Sequence, residues 1–190
     1  MISDEAIINM ILSHEGSEFT NDSNDRGGPT KFGITLDDLR IWRHDFSLTA
    51  NDVRNLTRDE VGEIYRTQNI RPFDHLSDQI RLNCIDFGVN AGVRRAIMML
   101  QQLILARVDG GIGPETKALA NSRNWNELYV GSRLLYYEQI IYSDSTQMQW
   151  RKGWHNRALA FLTEEVSTIR RVPITPRFGF TGKAYQRKVA

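Results

Sequence analysis

Residues 3–16 read Ser3-Asp4-Glu5-Ala6-Ile7-Ile8-Asn9-Met10-Ile11-Leu12-Ser13-His14-Glu15-Gly16. Ile7, Ile8, Ile11 and Leu12 recur at helical spacing and form one apolar stripe. Ser3 can cap this helix, and Asp4 and Glu5 complement the positive end of its dipole. Glu15 follows Ile8 by seven residues and Ile11 by four, so it shares the face of the stripe. It also stands at the helix C-terminus, where the dipole disfavours negative charge. Partial burial and the dipole both push its pKa upward, and a carboxyl kept protonated near neutral pH can serve as a general acid. The same spacing also suits a glutamate that pairs with an arginine at the rim of a core.

Helical periodicity continues outward from this segment. Residues 16–33 hold glycines and prolines among polar residues and read as an ordered loop. Thr35 can cap a short helix through Trp42. Thr57 and Glu60 have capping-box spacing and open a helix that must end before Pro72. Two apolar helices are expected over 78–90 and 92–106, separated near Gly92. Asp109-Gly110-Gly111 is a turn, and Gly113-Pro114 suits a cap followed by a first helical position. Further helices are expected over 125–142 and 146–171, with Pro173 and Pro176 ending the pattern. The fold class is all-α, with room for a minor β-hairpin in the 16–35 loop.

The chain has 190 residues, 41% of them hydrophobic, enough to bury a real core. Its 24 basic and 23 acidic residues leave a formal charge of +1, which argues against nucleic acid as a partner. The basic residues Arg170, Arg171, Arg177, Lys183, Arg187 and Lys188 gather at the end without a carboxylate side chain among them. That tail, 171–190, reads as a solvated terminus or as a contact for an anionic envelope surface. The single cysteine, Cys84, sits in an apolar segment and reads as a small buried hydrophobe. Scattered histidines without cysteine partners argue against a zinc site, and no cofactor is expected. No apolar run is long enough to span a bilayer. Met1-Ile2-Ser3-Asp4-Glu5 lacks a basic segment and a cleavage site. The expectation is synthesis in the cytoplasm without a signal peptide.

The loop after Glu15 runs Gly16-Ser17-Glu18-Phe19-Thr20-Asn21-Asp22-Ser23-Asn24-Asp25-Arg26-Gly27-Gly28-Pro29-Thr30-Lys31-Phe32-Gly33-Ile34-Thr35. It resembles the glycoside hydrolase 108 family of N-acetylmuramidases. Members pair a Glu-Gly-Gly-Tyr segment with Asp-Pro-x-Asp-x-Gly-Gly-x-Thr-x-x-Gly-Ile-Thr. The likeness continues through Ile85-Asp86-Phe87-Gly88-Val89-Asn90-Ala91-Gly92, similar to the family's central helix. Leu100-Gln101-Gln102 and Asp109-Gly110-Gly111-Ile112-Gly113-Pro114-Glu115-Thr116 resemble a peptidoglycan-binding-type segment. Gly153-Trp154-His155-Asn156-Arg157 resembles the closing Gly-Trp-x-x-Arg helix. Here the first motif carries an extra residue, which makes Glu18 a rival acid past the helix end. The family's Tyr-Trp pair after Tyr65 is Asn69-Ile70.

The resemblance implies a lysozyme-like helical fold in one compact domain, 1–170, with a catalytic part over 1–92 and a peptidoglycan-binding-type part over 93–170. It implies a muramidase, of the phage endolysin or secretion-linked kind, that cuts the β-1,4 bond between N-acetylmuramic acid and N-acetylglucosamine. Glu15 would protonate the leaving oxygen. By similarity to phage-type lysozymes, Asp25 would stabilise the oxocarbenium-like charge or activate water, and Thr30 would hold the water; on the residues alone, Asp25 also suits a turn and Thr30 a loop hydroxyl or a cap. Asp22 is the fallback second carboxylate, though its residue type and place read first as an Asx-turn residue. Asp86, Asn90 and Trp154 are candidate sugar contacts, set against packing roles for all three; Trp125 and Trp150 are weaker candidates, and Arg157 reads as structural. Glycan strands are the expected partner, and a monomer is the expected state. Action on the wall, in the periplasm, would follow release through a holin or similar route. Two other functions stay open on the residues alone. A lytic transglycosylase would leave an anhydro sugar, and a non-catalytic peptidoglycan-binding protein would leave the wall intact.

Overall fold

A computed structural model of the chain describes residues 2–21 and 28–162. Asp22, Asp25 and the basic tail 171–190 lie outside the described residues, as does the expected helix beyond 162. The described residues form two compact units, 2–71 and 72–162.

The first unit opens with α1 (Asp4–Glu15), capped as expected by Ser3, whose Oγ accepts from Ala6 N at 3.3 Å. Its inner face buries Ile7, Ile8 and Ile11. A two-stranded antiparallel hairpin, β1 (Thr30–Lys31) and β2 (Ile34–Thr35), lies in the expected loop. Thr35 then caps α2 (Leu36–Arg43) through a reciprocal box with Asp38. A short helix, α3 (Ala50–Arg54), has no counterpart in the periodicity reading. It is closed at its start by Asp52, whose carboxylate accepts from Thr49 N at 2.8 Å. Thr57 accepts from Glu60 N to open α4 (Arg58–Tyr65). Glu60 does not complete the box from its side, because Arg43 holds its carboxylate in a two-bond fork at 2.8 Å. Beyond Tyr65 the chain widens into a π-turn, Arg66–Ile70, before Pro72.

The second unit is a helical assembly. α5 (Asp78–Ala91) breaks at Gly92, whose φ of 97° is open to glycine, and α6 (Val93–Leu103) follows. α7 (Pro114–Ala120) begins with proline at its first position, where no amide bond is lost. α8 (Asn126–Ser143) packs on α5 and α6. The last expected helix starts late. Asp144 caps a 3-10 turn, Ser145–Trp150, and only then does α9 (Arg151–Leu159) form. The packing centre is Phe87 of α5, met edge-on by Tyr129, Tyr136 and Tyr137 of α8 at centroid distances of 6.2, 5.3 and 6.1 Å. Among the described residues the fold is thus all-α, nine α-helices with one small hairpin. None of those helices is long and apolar enough to cross a membrane.

Candidate active site

Glu15 is the last residue of α1. Gly16 turns the chain away with φ 73°, and its N–H donates to Leu12 O at 3.2 Å. The apolar stripe that builds the helix therefore carries the carboxyl to its end, where Glu15 is half-buried. The loop returns to it. Thr20 and Thr30 exchange backbone bonds of 2.8 and 2.9 Å, which ties the chain just after α1 to β1. Lys31 anchors that strand by donating its Nζ to Arg54 O at 2.7 Å and Leu56 O at 2.9 Å.

The turn between the strands meets the acid. Phe32 and Gly33 both adopt left-handed angles, φ 52° and 75°. A Cβ on Gly33 would stand 2.8 Å from Glu15 Oε2, 3.0 Å from Glu15 Cγ and 2.7 Å from the Tyr65 hydroxyl. Only a residue without a side chain lets the backbone come this close to the carboxyl. Tyr65, at the end of α4, is 3% exposed and donates its hydroxyl to Phe32 O at 2.8 Å. The hairpin is thus tied to α4 at the point where it covers Glu15.

Thr30 is half-buried on β1, and its hydroxyl donates to Gly28 O at 3.0 Å. Glu18 is exposed, as expected for a residue past the helix end. Tyr65 is the residue that motif reading did not connect to the loop. The signal was its register: it follows Val61 by four residues on the buried face of α4.

The three expected sugar contacts lie in the second unit, and all three are engaged in its interior. Asp86 is 1% exposed, accepting from Arg133 Nη2 at 2.6 Å and Arg157 Nε at 2.8 Å. Asn90 accepts from the Tyr137 hydroxyl at 3.0 Å. Trp154 is 5% exposed and stacks on Tyr137 with centroids 5.2 Å apart. These side chains organise the packing of the second unit. Trp125 donates its Nε1 to Leu119 O at 2.9 Å and lies beneath the Arg123 guanidinium.

The segment from Gln101 to Thr116 has a physical basis as a motif. Gln101 is fully buried; its amide donates to Asp109 Oδ1 and Gly111 O at 2.8 Å, and its carbonyl accepts from Gly110 N at 2.8 Å. One side chain thereby shapes the whole Asp109–Gly111 turn. Among the described residues no three His, Cys, Asp or Glu side chains gather to hold a metal ion.

Residues 8–92 match the family Glycosyl hydrolase 108, and residues 95–159 match the family described as a predicted peptidoglycan domain. A solved structure of SagA from Brucella abortus is similar, with a TM-score of 0.74 and 25% identity. The alignment covers 88% of this chain and 96% of that one. No curated protein matches the chain.

Proposed function

We propose that this chain, whose residues 8–92 match Glycosyl hydrolase 108 and whose residues 95–159 match a predicted peptidoglycan domain, hydrolyses the β-1,4 bond between N-acetylmuramic acid and N-acetylglucosamine with Glu15 as general acid. The observation that carries this reading is the packing of the Gly33 turn against the Glu15 carboxyl at the end of α1. That contact places the Gly33 backbone directly against the carboxyl.

Glycoside hydrolysis needs a proton on the leaving oxygen and a nucleophile or activated water at the other face of the sugar. Glu15 supplies the proton. Asp25 supplies the second carboxylate and draws one proton of the water. Thr30 has its own proton committed to Gly28 O, so its oxygen lone pairs are available for the water's other proton. A water held in this way points its own lone pair at the anomeric carbon. The products are a reducing N-acetylmuramic acid end and a free N-acetylglucosamine hydroxyl.

Residues 95–159 would hold the wall while the catalytic part cuts it. Lysis of a host by a phage, with release to the wall through a holin or similar route, is the biological role that fits a lytic muramidase of this family.

Glu15→Gln tests the assignment. The amide cannot donate an acidic proton, and losing general acid catalysis costs about 10²–10⁴-fold. Clearing of purified peptidoglycan at near the wild-type rate by folded Glu15→Gln protein would overturn it, and Glu18 would then be the acid to examine.

A further inference from the structure

Helix α9 buries one face and shows the other. Trp154 and Ala158 lie in the interior of the second unit, and Arg157 reaches Asp86. On its outer side the helix and the 3-10 turn before it form an open groove of about 470 Å³, lined by Met148, Arg151, Lys152, His155, Asn156 and Leu159. Met148 and Leu159 are 55% and 41% exposed, so the groove leaves apolar surface to solvent.

Its charges do not balance. Glu138 of α8 accepts from Arg151 Nε at 2.7 Å, and His155 Nε2 stands 2.7 Å from the same oxygen. The bond from Arg151 holds the Glu138 carboxyl below the usual carboxylate range, so this pair stays ionised and its charges cancel. Lys152 is exposed and pairs with no carboxylate among the described residues. The groove thus carries one uncompensated cation. The Asn156 amide stands one helical turn further on, with groups that donate and accept.

We propose that this groove takes a stem peptide of the wall: a free carboxylate pairs with Lys152, alanine methyls lie on Met148 and Leu159, and Asn156 bonds the peptide backbone. The proposal rests on the reading of residues 95–159 as the wall-holding part, and it names the portion of the wall that they hold. Chemistry separates peptide from sugar here. The sugars of a peptide-bearing strand are uncharged and stack on aromatic faces. No aromatic side chain lines the groove, and Trp154 turns its ring onto Tyr137 in the interior. Stem peptides offer carboxylates and methyl groups together. An anionic bilayer fits less well, since one uncommitted lysine falls short of the basic cluster that such a surface attracts. The segment of this chain from Arg170 onward is itself basic without a carboxylate side chain, so charge disfavours it as the occupant.

The test titrates the full-length protein with a synthetic stem peptide, L-alanyl-γ-D-glutamyl-diaminopimelyl-D-alanine, and follows the backbone amides by NMR. A second titration uses the same peptide with its carboxylates amidated. The expected shifts cluster over residues 148–159. Affinity should fall about tenfold in Lys152→Glu and with the amidated peptide, because both remove the charge complement. Lys152→Met, which keeps the aliphatic stem, should show a smaller loss, and it guards against an effect of the new carboxylate on the fold. Shifts confined to other residues, no binding, or equal binding by wild type and both variants would overturn the proposal. So would sedimentation with phosphatidylglycerol vesicles that depends on Lys152 while the peptide leaves the groove silent. Sedimentation of full-length Glu15→Gln protein with purified peptidoglycan separates the two levels. A protein that sediments while its groove ignores the peptide keeps the wall-holding reading and loses this site. A protein that does not sediment loses both.

Discussion

Arg133 and Asp86 form a buried ion pair, with Nη2 and Oδ2 2.6 Å apart and side-chain exposures of 0% and 2%. Arg157 shares the carboxylate from α9, and Asn83 accepts from the other arm of Arg133 at 2.5 Å. The pair therefore joins α5, α8 and α9 within the second unit. Removing one partner of such a pair strands a charge in a medium that cannot solvate it.

Asp86→Asn should accordingly destabilise the protein by about 3–5 kcal/mol. Chemical denaturation would read the loss directly. At a temperature where the variant is still folded, its KM for glycan should match the wild type. Intact stability with a raised KM would restore Asp86 to the sugar-binding role that its motif suggested.

Gly33→Ala should damage both the fold and the activity. The left-handed backbone alone costs a residue with a Cβ about 1–2 kcal/mol. The added methyl would also collide with Glu15 Oε2 and the Tyr65 hydroxyl. Glu15 has to move, so kcat should fall even where the protein remains folded. A variant with wild-type kcat would show that the carboxyl does not need the turn.

Gln101→Leu should loosen the Asp109–Gly111 turn and cost about 1–3 kcal/mol, because buried polar groups lose their partner. The Gln101 amide, helped by the Gly111 N–H, holds the Asp109 carboxyl below the usual carboxylate range. The sign follows from linkage. A depressed folded-state pKa contributes stability above the unfolded value, about 3.9, and that stability is lost as pH falls through the folded value. In Gln101→Leu, an NMR titration should find Asp109 back near the ordinary value. An unchanged titration would mean that the Gly111 amide alone sets it.

Cys84 is fully buried, and burial pushes its thiol up to about 12. The thiolate is the reactive form, so a thiol reagent should label the protein only as it unfolds. Fast labelling of native protein would contradict the packing of α5.

The parts of this fold that were legible in sequence are the local ones. Ser3, Thr35 and Thr57 cap the helices they were expected to cap, and Gly92 and Pro114 break and start helices where their backbone chemistry requires. Helix α3 was missed because five residues carry no periodicity, although Thr49 and Asp52 had cap spacing. The 3-10 turn before α9 was missed because Asp144, bonding Thr146 N at 3.1 Å, interrupts a stretch whose pattern alone reads as helix. Near the candidate site, the place of Glu15 at the end of α1 was readable from spacing. Tyr65 was not, since it meets Phe32 across 33 residues of chain, and spacing carries no record of such pairings. The partners that engage Asp86, Asn90 and Trp154 were hidden for the same reason: Arg133, Tyr137 and Arg157 belong to distant helices.

Hydrolysis by a water activated opposite Glu15 leaves that water's oxygen on the muramic acid carbon. Digestion of purified peptidoglycan in heavy-oxygen water, followed by mass spectrometry of the fragments, tests it most directly. The expected fragments have reducing N-acetylmuramic acid ends that carry one heavy oxygen, present with the wild-type protein and absent with Glu15→Gln. Fragments ending in 1,6-anhydro-N-acetylmuramic acid, with no heavy oxygen taken up, would contradict it.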